Sequence, residues 1–372
     1  MKQLVLVGGG HAHALVLRAL IDEPEPGIAI TLIAPERHSP YSGMLPGHIA
    51  GLYSRDEMHI DLVRLAQRLG ARFVEDKAVA FDGAGRKVTL AGGETLGFDV
   101  LSIDIGITPD IAAIEGARQH ALSVKPIGEL LEKIDRLIAS ARQPGGPKRF
   151  AVVGGGAAGI CLAFALAARL RADGGERHGF SFVVVTAGAL LPEVNALARR
   201  LVQRALKRRG IALRTHARVR AITADGLLLE EGEAMDADAV LVTSHAKAPS
   251  VLANGDLARD GRGFLAIDET LRVIGQDAVF AAGDCATMID HPRPKAGVFA
   301  VRQGAPLAFN LRAALRGEPL QSYVPQEDWL MLIASADGRA IASRGAWFAY
   351  GGRLAWWLKD RIDRRFMKLF RV

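Results

Sequence analysis

Cysteine is almost absent, with two in 372 residues. That excludes a disulfide framework and any all-cysteine metal site, and it fits a reducing compartment such as the cytoplasm. Aromatic residues are sparse at 6%. Charged residues reach only 23% beside 49% apolar ones, so the chain has ample core and is not disordered. Positive charge is in small excess, +7, and it is unevenly placed. Residues 353–372 hold Arg353, Lys359, Arg361, Arg364, Arg365, Lys368 and Arg371 against Asp360 and Asp363. The body is therefore nearly neutral and offers nucleic acid no basic face. A secretory signal is not expected, because three glycines and two histidines interrupt Met1–Leu20. Phe150–Ala168 is free of charge and long enough to raise the question of a membrane span. Its glycines at 154, 155, 156 and 159 make it a buried strand, a tight turn and a buried helix instead.

Glycine is plentiful, 41 in all, and it is placed by a repeat. Leu4–Leu20 reads LVLVGGGHAHALVLRAL and Phe150–Leu166 reads FAVVGGGAAGICLAFAL. Each is four apolar residues, three glycines and an Ala-rich apolar helix, followed by a further strand, Ile28–Ile33 or Phe180–Val185. Two such βαβ units on one chain predict two dinucleotide-binding domains. A linker, Gln143-Pro144-Gly145-Gly146-Pro147, follows a helical stretch at Gly128–Arg142. Further on, Leu227–Glu230, Ala239–Val242, Trp329–Ile333 and Ala340–Phe348 read as strands. Ala296–Leu315 and Leu354–Phe370 read as helices.

In the first turn Gly8 permits the bend and Gly10 lets backbone approach a pyrophosphate, with the helix N-terminus aimed at the anion. His13 stands where the third motif glycine is expected. The second turn fills all three places with Gly154, Gly156 and Gly159, and Ala157 and Ala158 open its helix. The strand that follows ends in Thr186-Ala187-Gly188, without the acid that an NAD ribose usually receives. At the matching place the first unit has Ala34-Pro35, then Glu36 and Arg37, and Glu36 can turn back to a ribose.

Together with Gly283-Asp284 after an apolar strand and the helix start Lys295-Ala296-Gly297-Val298, these features resemble the pyridine nucleotide–disulfide oxidoreductase superfamily. Pro40-Tyr41-Ser42-Gly43-Met44-Leu45-Pro46 is similar to flavoprotein regions associated with selenide, water dikinase, and more broadly to type II NADH dehydrogenases and sulfide:quinone reductases. The resemblance covers about Met1 to Leu315. It implies an α/β fold of two Rossmann-like domains, the FAD domain split around an NAD(P)-like one, plus a small C-terminal α+β module. The expected division is 1–115 and 266–320 for FAD, 116–265 for NAD(P)H and 321–372 for the module. It further implies an FAD site built from Gly8, Gly10, His11, Ala12, Ala34, Pro35, Glu36, Arg37, Ser42, Gly43, Met44, Val79 and Gly106, with Gly283 and Asp284 on the ribitol and pyrophosphate. Lys295, Ala296, Gly297 and Val298 would face the flavin pyrimidine. Gly154, Gly156, Ala157, Ala158 and Gly159 would take NAD(P)H.

Departures from the family pattern narrow the activity. His38–Ile49 contains no cysteine, which excludes disulfide-reductase chemistry. Cys161 stands where glutamate is usual, near the place of a sulfide-reductase cysteine, and is the flavin-proximal candidate for catalysis. Cys285 does not match the partner position. Asp104-Ile105-Gly106 and Thr243-Ser244-His245 replace the usual crossover sequences. His11, His13, His38, His48 and His59 cluster in sequence, but a metal would need them convergent in space, and none is expected.

The expected activity is FAD-dependent transfer of two electrons, from NAD(P)H to a quinone-like acceptor. Two alternatives stay open: a sulfide or selenium-compound oxidoreductase using Cys161, and a flavin-binding partner or sensor with a vestigial second domain. In the tail, Leu358, Ile362, Phe366 and Leu369 share a helical stripe opposite Arg361, Arg364, Arg365, Lys368 and Arg371. That pattern suits an anionic membrane surface or a docking face, and a homodimer is left open.

Overall fold

A computed structural model describes residues 1–125, 127–172, 179–243 and 246–371. Two five-stranded parallel sheets dominate it. The first runs, edge to edge, Val279–Ala281, Val100–Ile103, Lys2–Val7, Ile28–Ile33 and Arg72–Val74. The second runs Ala121–Ser123, Ala239–Val242, Arg149–Val153, Ser181–Val185 and Ile211–Arg214. Their central strands are buried end to end (Leu4 to Val7, Phe150 to Val153), which is why the sequence shows continuous apolar runs and no alternation.

The two units match in detail. Val7 pairs with Ile33 and Ile103, and Val153 pairs with Val185 and Val242. Each carries a three-stranded antiparallel ribbon, Ala78–Asp82/Lys87–Leu90/Thr95–Gly97 in the first and Val219–Thr223/Gly226–Leu229/Ala234–Asp236 in the second. Val279–Ala281 returns to the edge of the first sheet, so that sheet is completed only after the second has been traversed. The helix Gly297–Arg316 then packs on His11–Asp22, the first helix. Gly304 is needed there, since a Cβ would lie 2.5 Å from Leu15 Cδ1.

The C-terminal module is a three-stranded antiparallel sheet, Met331–Ala334, Ala340–Arg344 and Phe348–Gly352, followed by the helix Arg353–Lys368. One long strand was expected over Ala340–Phe348; the chain turns at Gly345 (φ 54°) and makes a hairpin. The expected stripe of the last helix is split. Phe366 turns inward against Tyr41, ring centroids 4.7 Å apart, while Ile362 and Leu369 stay exposed. The inward face also buries Ala355, Lys359, Asp363 and Met367. A charged pair can sit there because Lys359 and Asp363, one turn apart, neutralise each other. Lys359 Nζ also donates to the Gly43 carbonyl at 2.7 Å, and Tyr41 Oη donates to Asp363 Oδ1 at 3.2 Å.

Candidate functional site

Strand Lys2–Val7 delivers the chain to Gly8, whose φ of 103° a side chain would strain. A Cβ on Gly8 would meet the Asp104 carbonyl oxygen at 2.1 Å, and one on Gly10 the Asp104 carboxylate at 2.1 Å. The turn thus wraps around Asp104, which leaves the neighbouring strand Val100–Ile103. Asp104 Oδ2 accepts from the backbone N–H of Ala12 at 3.0 Å and of His13 at 3.2 Å. Burial and the nearby Asp284 push its carboxyl up to about 7, against the backbone donors. His13 fills the place of the missing glycine. Its Nδ1 lies 2.7 Å from the Gly8 carbonyl and its Nε2 2.8 Å from Ser102 Oγ, so the ring bridges helix and sheet. Burial lowers it to about 4, which keeps it neutral.

On the other side Gly283 (φ 70°) follows strand Val279–Ala281, its N–H held by Gln303 Oε1 at 2.7 Å. Asp284 pairs with Lys125 at 3.2 Å, a partner the sequence did not suggest. A small open cleft lies beside them, lined among others by Thr287, Met288, Lys295 and Phe299. Lys295 Nζ donates to Thr287 Oγ1 at 2.9 Å and lies 4.1 Å from the Phe264 ring centroid; burial lowers it to about 8. Ala296 caps the helix that begins at Gly297 and Val298, and a Cβ on Gly297 would sit 3.5 Å from Ser42 Oγ. Loop and helix N-terminus therefore face each other. Met44 is buried beneath that loop.

His11 stands between, edge-on to Tyr41 at 5.4 Å. Its buried Nε2 has no hydrogen-bond partner among the described residues. Burial lowers it to about 4. An orphaned nitrogen, two glycines with positive φ and a cleft beside the start of the Gly297 helix fit FAD: Gly8 and Gly10 would take the pyrophosphate, Gly283 and Asp284 the ribitol, and Ser42 to Met44 and Lys295 to Val298 the ring, whereas the N–H of Ala12, expected at the same place, is given to Asp104. Gly106 (φ 73°) leaves open space beside this group. Ala34 is buried at a strand end, with Pro35, Glu36 and Arg37 exposed after it. Arg37 pairs with Glu75, and Glu36 lies against Gly128. Val79 is placed on the first ribbon, where its carbonyl accepts from Asn254 Nδ2 at 3.0 Å.

The second turn repeats the plan with other contacts. Gly154 (φ 128°) would place a Cβ 2.1 Å from Thr243 Oγ1, and Gly159 one 2.1 Å from the Gly154 carbonyl oxygen. Gly155 is covered by Thr186, and its carbonyl accepts from Leu191 N at 2.9 Å. Gly156, followed by Ala157 and Ala158, is open. Ser244 and His245 lie outside the described residues.

Cys161 is on this second helix, buried beside Ala334 and Lys359, and its thiol is pushed up to about 11. Cys285 is also buried, 3.2 Å from the Ala282 carbonyl oxygen, and is pushed up to about 12. Both are held as thiols. Among the described residues no three His, Cys, Asp or Glu converge on a metal site.

Two glycine turns of the dinucleotide type on paired parallel sheets are the architecture of an FAD-dependent oxidoreductase of two nucleotide-binding domains. The family defined as pyridine nucleotide-disulphide oxidoreductase matches residues 2–304, and the chain belongs to it. It is 30% identical to a demethylphylloquinone reductase of Synechocystis sp. over 76% of this chain and 71% of that one. It is 24% identical to an NADH dehydrogenase-like protein of Bacillus subtilis over 88% and 87%. The fold is shared with the sulfide:quinone oxidoreductase of Aquifex aeolicus (TM-score 0.83, 19% identity, 100% of this chain and 92% of that one). It is shared equally with NDH2 of Plasmodium falciparum in complex with NADH (TM-score 0.84, 14% identity, 99% and 97%).

Proposed function

We propose that the protein is an NAD(P)H:quinone-type oxidoreductase, taking two electrons from a nicotinamide and passing them to a quinone-like acceptor. FAD, when bound, supplies the redox chemistry. The chain's own residues hold and screen it: the first turn brings the start of its helix close to the phosphates, Gln303 fixes Gly283, and Tyr41 and Phe366 close one side. The observation that carries the reading is the open Gly156 turn at the head of a buried helix, paired with the cradle at Gly8 and Gly283. Cys161 supports it from the other direction. Its buried thiol is not ionised near neutral pH, and hydride transfer requires no thiolate.

The acceptor side is proposed to be a membrane surface reached through the last helix. Leu354, Trp357, Ile362 and Leu369 are exposed there, and Trp347 is 91% exposed, with Arg353, Arg361, Arg365 and Lys368 among them. No helix among the described residues is long and apolar enough to cross a membrane. Each surface cation would add about 1 kcal/mol on anionic lipid.

Anaerobic titration with NADH, NADPH and sulfide, followed by a soluble quinone, tests the activity. Nicotinamide should bleach the flavin absorbance and the quinone restore it, in wild type and Cys161→Ser alike. Bleaching by sulfide alone, lost in Cys161→Ser, would replace this reading with the thiol-dependent one. Binding to anionic vesicles that weakens with salt tests the surface; indifference to vesicles at low salt would remove it.

A further inference from the structure

The carboxyl of Asp104 stands where the first helix meets its anion. The residue is 3% exposed and lies between Gly10 and Gly283. Its Oδ2 is engaged by the N–H groups of Ala12 and His13. Its Oδ1 accepts no hydrogen bond among the described residues, and it lies 2.1 Å from where a Cβ on Gly10 would be and 2.5 Å from where one on Gly283 would be. The unpartnered oxygen therefore points into the gap between the two glycines assigned to the cofactor.

We propose that Asp104 is a ligand of the FAD pyrophosphate, bound as the neutral carboxylic acid with its Oδ1–H donated to a phosphate oxygen, so that above neutral pH FAD loading draws up to one proton in from solvent. The proposal rests on the assignment of the first turn to FAD. A carboxylate in this position would face a phosphate anion across a narrow gap, and that repulsion is removed by one proton. The acid already sits near its midpoint at about pH 7 without the ligand, and an added anion moves it further up. The groups facing it from every packed element are His11 and His13 on the first helix, Asp284 and Cys285 beside Gly283, Lys125 paired with Asp284, and Lys295. Both histidines, at about 4, and the Cys285 thiol, at about 12, keep one charge state through the neutral range. Lys295, at about 8, is the other group that changes charge.

The test is the dissociation constant of FAD from the full-length chain between about pH 6 and about pH 9 at fixed ionic strength, read by flavin fluorescence, with calorimetry in buffers of different ionisation heat. Wild type should weaken toward tenfold per pH unit above about 7 and take up a proton on binding. Asp104→Asn mimics the neutral acid: its amide donates where the O–H did. It should match wild type near pH 6 within about threefold, bind roughly tenfold or more tightly than wild type near pH 9, and lose most of the proton uptake. Lys295→Met leaves Asp104 intact and should keep that uptake, which holds the test open if Asp104→Asn misfolds. A flat wild-type profile, the same slope in Asp104→Asn, or no proton uptake near pH 7.5 in wild type and Lys295→Met would overturn the role of Asp104 while leaving FAD binding in place. Failure of wild type to bind FAD at any pH would sink the flavin assignment itself, and the role of Asp104 with it.

Discussion

The two glycine turns descend from one sequence pattern, yet they are filled differently. In the first, the residue leaving the neighbouring strand is Asp104; in the second, the equivalent residue is Thr243. Thr243 Oγ1 donates to the Val153 carbonyl at 3.1 Å and bonds no N–H of the helix N-terminus among the described residues. Asp104 reaches that terminus and bonds it. The third motif position differs to match. Gly159 is obligatory because the Gly154 carbonyl and Thr243 crowd it, whereas His13 fits because Ser102 and the Gly8 carbonyl receive its ring nitrogens. A motif glycine is thus a statement about what stands opposite, and the fingerprint can be broken where the facing residue changes too.

The largest effect expected from breaking this comparison is at Gly8. Gly8→Ala combines a φ of 103° with backbone at 2.1 Å and should cost about 3 kcal/mol or more, with loss of FAD on gel filtration. Gly159→Ala should be similarly damaging. Gly156→Ala, with open space around it, should leave the melting temperature nearly unchanged and reduce only NADH binding.

His13→Gly sharpens the point, because it restores the fingerprint. It should destabilise by about 2–4 kcal/mol, through a lost ring, an orphaned Ser102 hydroxyl and a glycine in a helix. A chain that gains stability on denaturation by urea would refute the bridging role.

The turns should also differ in acid. His11 and His13, lowered from 6.5 to about 4, bind fewer protons when folded, so they favour folding above about pH 6.5 and that contribution is lost as pH falls toward 4. Asp104, raised from 3.8 to about 7, acts oppositely: its contribution is present at low pH and is lost as pH rises through 7. Two groups against one give a net loss of stability between about pH 6.5 and 4, and His13→Gln should flatten the slope in urea titrations. The threonines that line the second turn do not titrate.

The smallest effect is at the second ribose position. Thr186→Glu supplies the missing acid and should tighten NADH by about 1 kcal/mol, near fivefold. Low-micromolar NADH binding by wild type would show that Thr186 is no handicap.

The repeat, three strands of each sheet and the glycines of both turns were legible in the sequence because each is a local statement: an apolar run, a glycine cluster, a helix start; Arg72–Val74, Val100–Ile103, Ala121–Ser123 and Ile211–Arg214 were not read as strands. Gly283-Asp284 was legible through family resemblance. Asp104 and Lys125 were not among the expected ligands, since their partners lie 92 and 159 residues away and no spacing announces them. Ser102 gave no reason to suspect the fit of His13. In the last helix the period of 3.6 found a stripe, of which Phe366 packs inward while Ile362 and Leu369 stay exposed, but it did not find the buried charged pair beside it. A rule that sends charge to solvent has no way to see Lys359 and Asp363 paired with each other and with the Tyr41–Gly43 loop.

That docking has a consequence for the order in which the protein is made. Tyr41, Gly43, Tyr53 and Glu57 emerge early, yet their partners Asp363, Lys359, Asp360 and Arg364 emerge more than 300 residues later. At a synthesis rate of roughly 5–20 residues per second, the loop that faces the flavin cleft waits tens of seconds for the contacts that seat it. A nascent chain stalled before residue 353 would carry the glycine cradle with the Tyr41–Gly43 loop still without its partners on the last helix.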